Sequence, residues 1–304
     1  MTTTTTVDRD PAITRDAKAW RHTAGVKYTE ALRLIEDPLH QGILGDRIVV
    51  RDLLRVLEDH PQIGSRHLDS TLGLRGFGAS TPLIDELDSN LLRRVILSME
   101  FLRMFGAPSA RELAARRTWQ GSYLLKHQAE VFLAGTVDGY VSNGTMIWAA
   151  ASLGLPLRYN DGDLEAPNFD IAIPETELKW LRQGTYRRFG ARRGEHFMPP
   201  GYARLKAVVD LAVEGEPIDS ALAIPLATRK KYSAFHRWLS AQQRRRGDEG
   251  RFARDYLAGV EDSDHRPAHS ADDLQEIMDT MGYNYEAQLV GRTLLAEWRS
   301  SHEA

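Results

Sequence analysis

Eleven apolar residues from Leu83 to Phe105, among them Leu87, Leu91, Leu92, Val95, Ile96, Met99 and Leu102, recur at intervals of three and four between Pro82 and Gly106-Ala107-Pro108. Residues so spaced share one side of a helix, so the run predicts a long helix with a wide apolar face. Glycine supplies the left-handed turn that ends a helix and proline cannot continue one, which sets the stop. Such a helix needs others packed around it, and the neighbouring sequence provides them. Tyr28, Ala31, Leu32, Leu34 and Ile35 form a short stripe closed by Asp37-Pro38, because the residue before a proline disfavours helix. Ile48, Val49, Leu53, Leu54, Val56 and Leu57 form another, opened by Asp46 and closed by His60-Pro61. Ser109 stands three residues before Glu112, the capping-box pattern, and predicts a further helix through Arg116 or Arg117. The expected class is therefore mainly α.

The middle of the chain repeats this grammar with one β interruption. SYLLKHQAEVFL predicts a helix ending near Gly135, and Ser142 caps a second that carries Met146, Ile147, Trp148 and Leu153 up to Gly154-Leu-Pro156. The pair has the outline of a helix-turn-helix. However, MIWAAASLGL offers no Arg, Lys, Asn or Gln to base edges, so the second helix is read as buried. Phe169, Ile171 and Ile173 alternate as in a strand, with Pro156–Tyr159 as a hairpin partner. The glycines between residues 64 and 82 mark a long loop and a candidate boundary. The Thr-rich residues 1 to about 15 read as a flexible tail. The expected divisions are a helical region with short strands over 16–200, a helix and linker over 201–230, and a separate helical unit over 231–299.

Charge patterning carries the functional expectation. The 304 residues have a net charge of -3, so the whole chain is no DNA coat. Between Lys179 and Arg254, however, seventeen Lys and Arg stand against seven Asp and Glu. Arg187, Arg188, Arg192 and Arg193 lie in the Gly- and Pro-rich stretch 184–201, and Lys230, Lys231, Arg244, Arg245, Arg246 and Arg251 lie further on. Clustered cations neutralise phosphates and gain affinity by counterion release, so these ten residues are the candidate contacts to DNA or RNA. The competing expectations are a solvated basic face, one paired with the acidic remainder of the chain, or a protein partner.

Catalytic signatures are incomplete. The chain has no cysteine, which removes thiol nucleophiles, disulfides and zinc–cysteine clusters and fits a reducing cytoplasm. It has no G-x-x-x-x-G-K-[ST] loop and no G-x-S-x-G elbow. Asp264-His265 and His269 are metal-compatible types, but Pro267 between the histidines argues against a shared helix face. His127 and Glu130 sit three apart, as an acid–base pair would. Ser142 and Asn143 in GYVSNG open a helix whose amides could hold an anion. Each has a simpler structural reading, so no cofactor or metal is expected and the leaning is to a non-catalytic protein, with an enzyme of a class lacking these motifs as a third reading. No apolar run is long enough to span a bilayer and residues 1–6 lack a signal-peptide pattern, so a cytoplasmic, unanchored protein is expected.

In the last third, Phe235, Trp238, Leu239, Gln242, Arg245, Gly250, Ala253 and Asp255 follow in order the pattern F-x-x-W-L-x-x-Q-x-x-R, then G, A and D. Residues 231–299 thus resemble the YozE SAM-like family, and Leu274, Ile277, Met278, Tyr283, Ala287, Leu294, Leu295 and Trp298 suit its later helices. Gly247, Asp248 and Arg251 depart from it. The resemblance implies a compact bundle of short helices and little about chemistry, since such bundles host both protein and nucleic-acid interactions. SYLLKH, GYVSNG and AAASLGL resemble modules of actinobacterial plasmids, prophages and integrative elements. Independently of family, Phe235, Trp238 and Leu239 share a helix face and read as core. An adaptor binding proteins through remaining exposed aromatics is the alternative function.

Overall fold

The apolar stripes become helices in the computed structural model, which describes residues 10–63, 71–136, 140–159, 168–185, 197–227, 232–262 and 264–302. The molecule is mainly helical with a small three-stranded antiparallel sheet. It divides into two units, one of residues 10–185 with 199–227, the other of residues 197–198 with 232–302.

In the first unit, α1 (Pro11–Ala24), α2 (Tyr28–Glu36) and α3 (Val50–Asp59) precede α4 (Ser89–Arg103), which covers only the later part of the helix expected between Pro82 and Gly106: Leu83–Glu86 forms a separate 3-10 turn, and the Asp88 carboxylate caps α4 by accepting from the Leu91 amide at 2.6 Å. α5 (Ala110–Leu113), β1 (Trp119–Gly121), α6 (Ser122–Phe132), α7 (Asn143–Ser152), β2 (Leu157–Tyr159), β3 (Phe169–Ala172), α8 (Glu175–Thr185), α9 (Tyr202–Glu214) and α10 (Asp219–Leu222) follow. α4 and α7 pack against each other at the centre. α4 is buried at Leu91 and Leu92 and continuously from Val95 to Leu102, and α7 is buried from Asn143 to Ala151, as befits a helix with little polar surface to offer water. The Trp148 indole of α7 donates to the Leu53 carbonyl of α3 at 2.9 Å, so its one polar atom is satisfied inside the core.

The sheet has the order β1-β3-β2. The hairpin partner expected for Phe169–Ile173 is β2, with Tyr159 opposite Phe169 and Leu157 opposite Ile171. β1 was not legible: Trp-Gln-Gly is too short to alternate, and it pairs through Gln120 opposite Ile171. Phe77 from the glycine loop packs on Phe169 at 4.9 Å between ring centres.

Four other expected boundaries change. Helix α1 starts at Pro11, capped by the Asp10 carboxylate, so the tail does not reach residue 15. The reason is burial: Asp16, Ala17 and Trp20 have no exposed surface, and Asp16 is held by Arg47 at 2.7 Å from the segment before α3 and by Arg51 at 2.9 Å from α3 itself. The glycine loop is no boundary, since Leu72 and Phe77 belong to the same core as α4. The Ser109–Glu112 capping box forms, but α5 ends after four residues because the Trp119 indole takes the Leu113 carbonyl at 3.0 Å. Finally, the helix expected within 201–230 is α9, and together with α10 it belongs to the first unit and does not stand apart from it: Leu205, Val208, Val209 and Ala221 join the first core, and the Gly201 amide donates to the Met104 carbonyl at 2.9 Å.

The second unit holds α11 (Ala234–Gln242), α12 (Asp248–Asp262), α13 (Ala271–Thr280) and α14 (Tyr285–His302). Its core is built from Phe235, Leu239, Phe252, Tyr256, Leu274, Met278, Leu294 and Trp298. Glycines permit the close approaches: a Cβ on Gly250 would lie 2.0 Å from the Arg245 carbonyl oxygen, and one on Gly291 would lie 2.3 Å from the Met278 sulfur. Trp238 is half-buried and leans on Trp298, with ring centres 5.4 Å apart.

Candidate nucleic-acid interface

The interface has to be assembled from the turn between α11 and α12, because Arg187, Arg188, Arg192, Arg193, Lys230 and Lys231 lie outside the described residues. Gln242 ends α11 with its side chain folded back onto the Trp238 carbonyl at 2.8 Å. Residues 243–247 then turn tightly and Gly247 adopts φ 97°, a conformation that favours glycine. The Arg254 guanidinium reaches back to the Gln243 carbonyl at 2.8 Å, where the C-terminal end of α11 attracts positive charge.

This geometry sorts the four described candidates. Arg244, Arg246 and Arg251 are exposed and form no ion pair among the described residues. Arg245 is different: it makes a two-pronged pair with the Glu297 carboxylate of α14, one contact at 2.8 Å. The pair raises the Arg245 value and holds Glu297 below the ordinary carboxylate range, in each case chiefly through their mutual hydrogen bonds. The three consecutive arginines are alike in the sequence, and only the fold brings Glu297, fifty-two residues away, against the middle one.

The charge of this unit is strongly polarised along the chain. From Arg237 to Arg254 six arginines accompany two carboxylates, Asp248 and Glu249, which occupy the first turn of α12 where a helix N-terminus favours them. From Asp255 to Glu297 ten carboxylates accompany two arginines. Arg266 spans Asp273 and Glu276 on α13 at 3.0 and 2.8 Å, so much of its charge is spent locally. Arg244, Arg246 and Arg251 thus lie in the part of this unit where cations outnumber carboxylates.

The other constellations resolve into structure. His265 lies flat against Tyr256 with ring centres 5.2 Å apart, and its Nε2 packs where a Cβ on Gly259 would come within 2.5 Å. His269 is exposed, and no group of three ligating residues that could hold a metal occurs among the described residues. His127 does pair with Glu130 at 2.6 Å, but that carboxylate also accepts from Lys126 at 3.2 Å and from the Val141 amide at 3.1 Å. It thus pins the chain at Val141 to α6. Lys126 is almost fully buried, with its ammonium 4.9 Å from the Tyr123 ring centre and 5.1 Å from that of Tyr140, a clasp with no sequence signature.

Ser142 caps α7 through the Thr145 amide at 3.0 Å. The anion reading of this helix start fails on geometry: the Gly144 amide donates to the Leu74 carbonyl at 3.0 Å, and Asn143 donates to the Arg75 carbonyl at 3.3 Å. The glycine loop is closed as well, since Gly73 and Gly76 exchange both backbone hydrogen bonds at 2.9 and 3.0 Å. Among the described residues no helix is long and apolar enough to cross a membrane. Comparison with family models, curated proteins and solved structures finds no match to this chain.

Proposed function

We propose that this protein is a non-catalytic accessory protein that associates with DNA or RNA through phosphate contacts from the α11–α12 turn. The observation that carries this reading is the exposure of Arg244, Arg246 and Arg251 without ion-pair partners among the described residues, in a segment where six arginines stand against two carboxylates. Guanidinium groups on a turn can meet a phosphate backbone without reading base edges, so affinity is salt-dependent and weakly selective for sequence. The arginines at 187–193 and the lysines at 230–231 extend the same basic stretch along the chain and add to it. The resemblance of residues 231–299 to YozE SAM-like modules belongs to this reading, as does the likeness of the middle segments to plasmid and prophage modules; such compact helical bundles serve as binding modules.

The test is fluorescence anisotropy of labelled single- and double-stranded DNA and RNA titrated with the full chain over a salt series. If the three free arginines each neutralise one phosphate, their joint replacement by alanine flattens the log–log salt slope by about 2.7 on duplex DNA and about 2.1 on a single strand. Arg245→Ala changes the slope less than Arg244→Ala, because Glu297 already holds that guanidinium. Absence of binding at low salt, or a slope untouched by the triple variant, overturns the assignment.

A further inference from the structure

The outer face of α1, in the first unit, carries charge of one sign. Arg15, Lys18 and Arg21 are exposed, as is His22 beside them, and none has an ion-pair or side-chain hydrogen-bond partner among the described residues. Each residue of a helix turns by about 100°, so these four fall within about 120° of its circumference, away from Ala17 and Trp20 in the core. The one carboxylate of the helix, Asp16, is turned inward and shared by Arg47 and Arg51. Two guanidiniums there answer a single negative charge, and the Arg51 side chain keeps 41% of its surface exposed. Solvated helix faces commonly mix signs, with acids and bases paired three or four residues apart, and α1 has no such pair among the described residues. The helix dipole accounts for Arg21 and His22 in the last turn, but it gives nothing to Arg15 and Lys18 further back.

We infer that this face is a second phosphate-contact site, at which the first unit holds a nucleic-acid backbone through Arg15, Lys18 and Arg21. The class of ligand rests on the nucleic-acid reading above, while the residues are separate from those of the α11–α12 turn and belong to the other unit. From Arg15 to Arg21 the face extends about 9 Å along the helix axis, at about 1.5 Å per residue. Phosphates follow one another by about 3.4 Å along the axis of each strand, so three cations meet about three nucleotides. Charge without an apolar anchor selects this occupant. A helix that lies in a bilayer surface sinks its apolar side among the acyl chains, and that side of α1 is already buried, with Ala17 and Trp20 wholly enclosed. Protein interfaces draw their energy from aromatic and other large anchors at their centre, and α1 exposes no large apolar side chain. A polyanion needs neither.

Anisotropy of labelled oligothymidylate and of a labelled duplex, titrated with the full chain over a salt series, tests this. Arg15→Gln, Lys18→Gln and Arg21→Gln together lower the log–log salt slope by about 2.7 on the duplex and about 2.1 on the single strand. Glutamine is a good helix former and the three positions are exposed, so this variant keeps the helical circular dichroism of the parent. Arg15→Lys with Arg21→Lys keeps the slope, because the charges remain. The loss adds to that of the alanine variant at Arg244, Arg246 and Arg251, since the two groups share no partner. A slope that the glutamine variant leaves unchanged, while the variant at the turn flattens it, overturns the α1 site and spares the turn. The converse result upholds the α1 site and removes the turn. Sedimentation with vesicles of phosphatidylserine and phosphatidylcholine separates the other anionic surface: vesicle binding lost in the glutamine variant, with oligonucleotide binding unchanged, assigns the face to lipid headgroups and overturns the proposal. Absence of oligonucleotide binding at low salt overturns both sites.

Discussion

Replacing Gly144 by alanine sets two effects of opposite sign against each other. Helix propensity favours the change by up to about 1 kcal/mol, because alanine loses less backbone freedom than glycine in α7. Tertiary packing opposes it. A Cβ at this position would lie 2.0 Å from the Gly73 carbonyl oxygen and 2.9 Å from its carbon, both backbone atoms, whereas real Cβ contacts do not fall below 3.0 Å. The loop backbone must therefore retreat by about 1 Å, and close-packed interiors transmit such a shift. Retreat strains the Gly144–Leu74 hydrogen bond, worth about 1 kcal/mol, and crowding of a well-packed site costs roughly 1–3 kcal/mol. Leu72 and Phe77, buried on the same loop, move with it. The expected net loss is about 2 kcal/mol after the propensity gain is subtracted. Urea unfolding followed by far-ultraviolet circular dichroism reads the difference. A Gly144→Ala protein as stable as the parent, or more stable, would refute the close contact between α7 and the glycine loop.

Asp16→Asn removes the charge that Arg47 and Arg51 share, and is expected to cost roughly 2–3 kcal/mol in the same assay. That is below the loss for a fully enclosed pair, because the stranded guanidiniums, 18% and 41% exposed, can rehydrate; a loss within error would place α1 outside the cooperative fold. Glu100 has its carboxyl raised above the ordinary 4.5 by burial, against the pull of Arg103 and the Leu44 amide. The folded state therefore holds this proton more tightly than the unfolded chain, and the stability Glu100 confers falls as pH rises through the window above 4.5. Glu100→Gln abolishes that slope in a series of unfolding curves across the window. His40 has the opposite sign: burial lowers it below 6.5, so the unfolded chain protonates first and stability declines as pH drops below that value. His40→Asn flattens this limb, and an unchanged pH profile would count against burial as the cause.

The sequence alone determined the helices whose signals are local. The stripe from Leu91 to Leu102, the Ser142 cap and the Ser109–Glu112 box all specify structure through neighbours three or four residues away, which a linear reading sees; the break at Leu87-Asp88 before α4 it does not. It also determined that α7 is interior, because a helix of Met, Ile, Trp and Ala has no polar side to offer water. Tertiary structure decided the rest, for one physical reason: the partners are far apart in the chain. Residues 11–15 look too polar to fold until Arg47 and Arg51 meet Asp16, and Trp-Gln-Gly becomes a strand only where β3 offers its edge. The run Arg244-Arg245-Arg246 is three equal charges in the sequence. Glu297 takes the middle one and leaves the outer two to solvent, a selection made by the packing of α14 rather than by anything within the run.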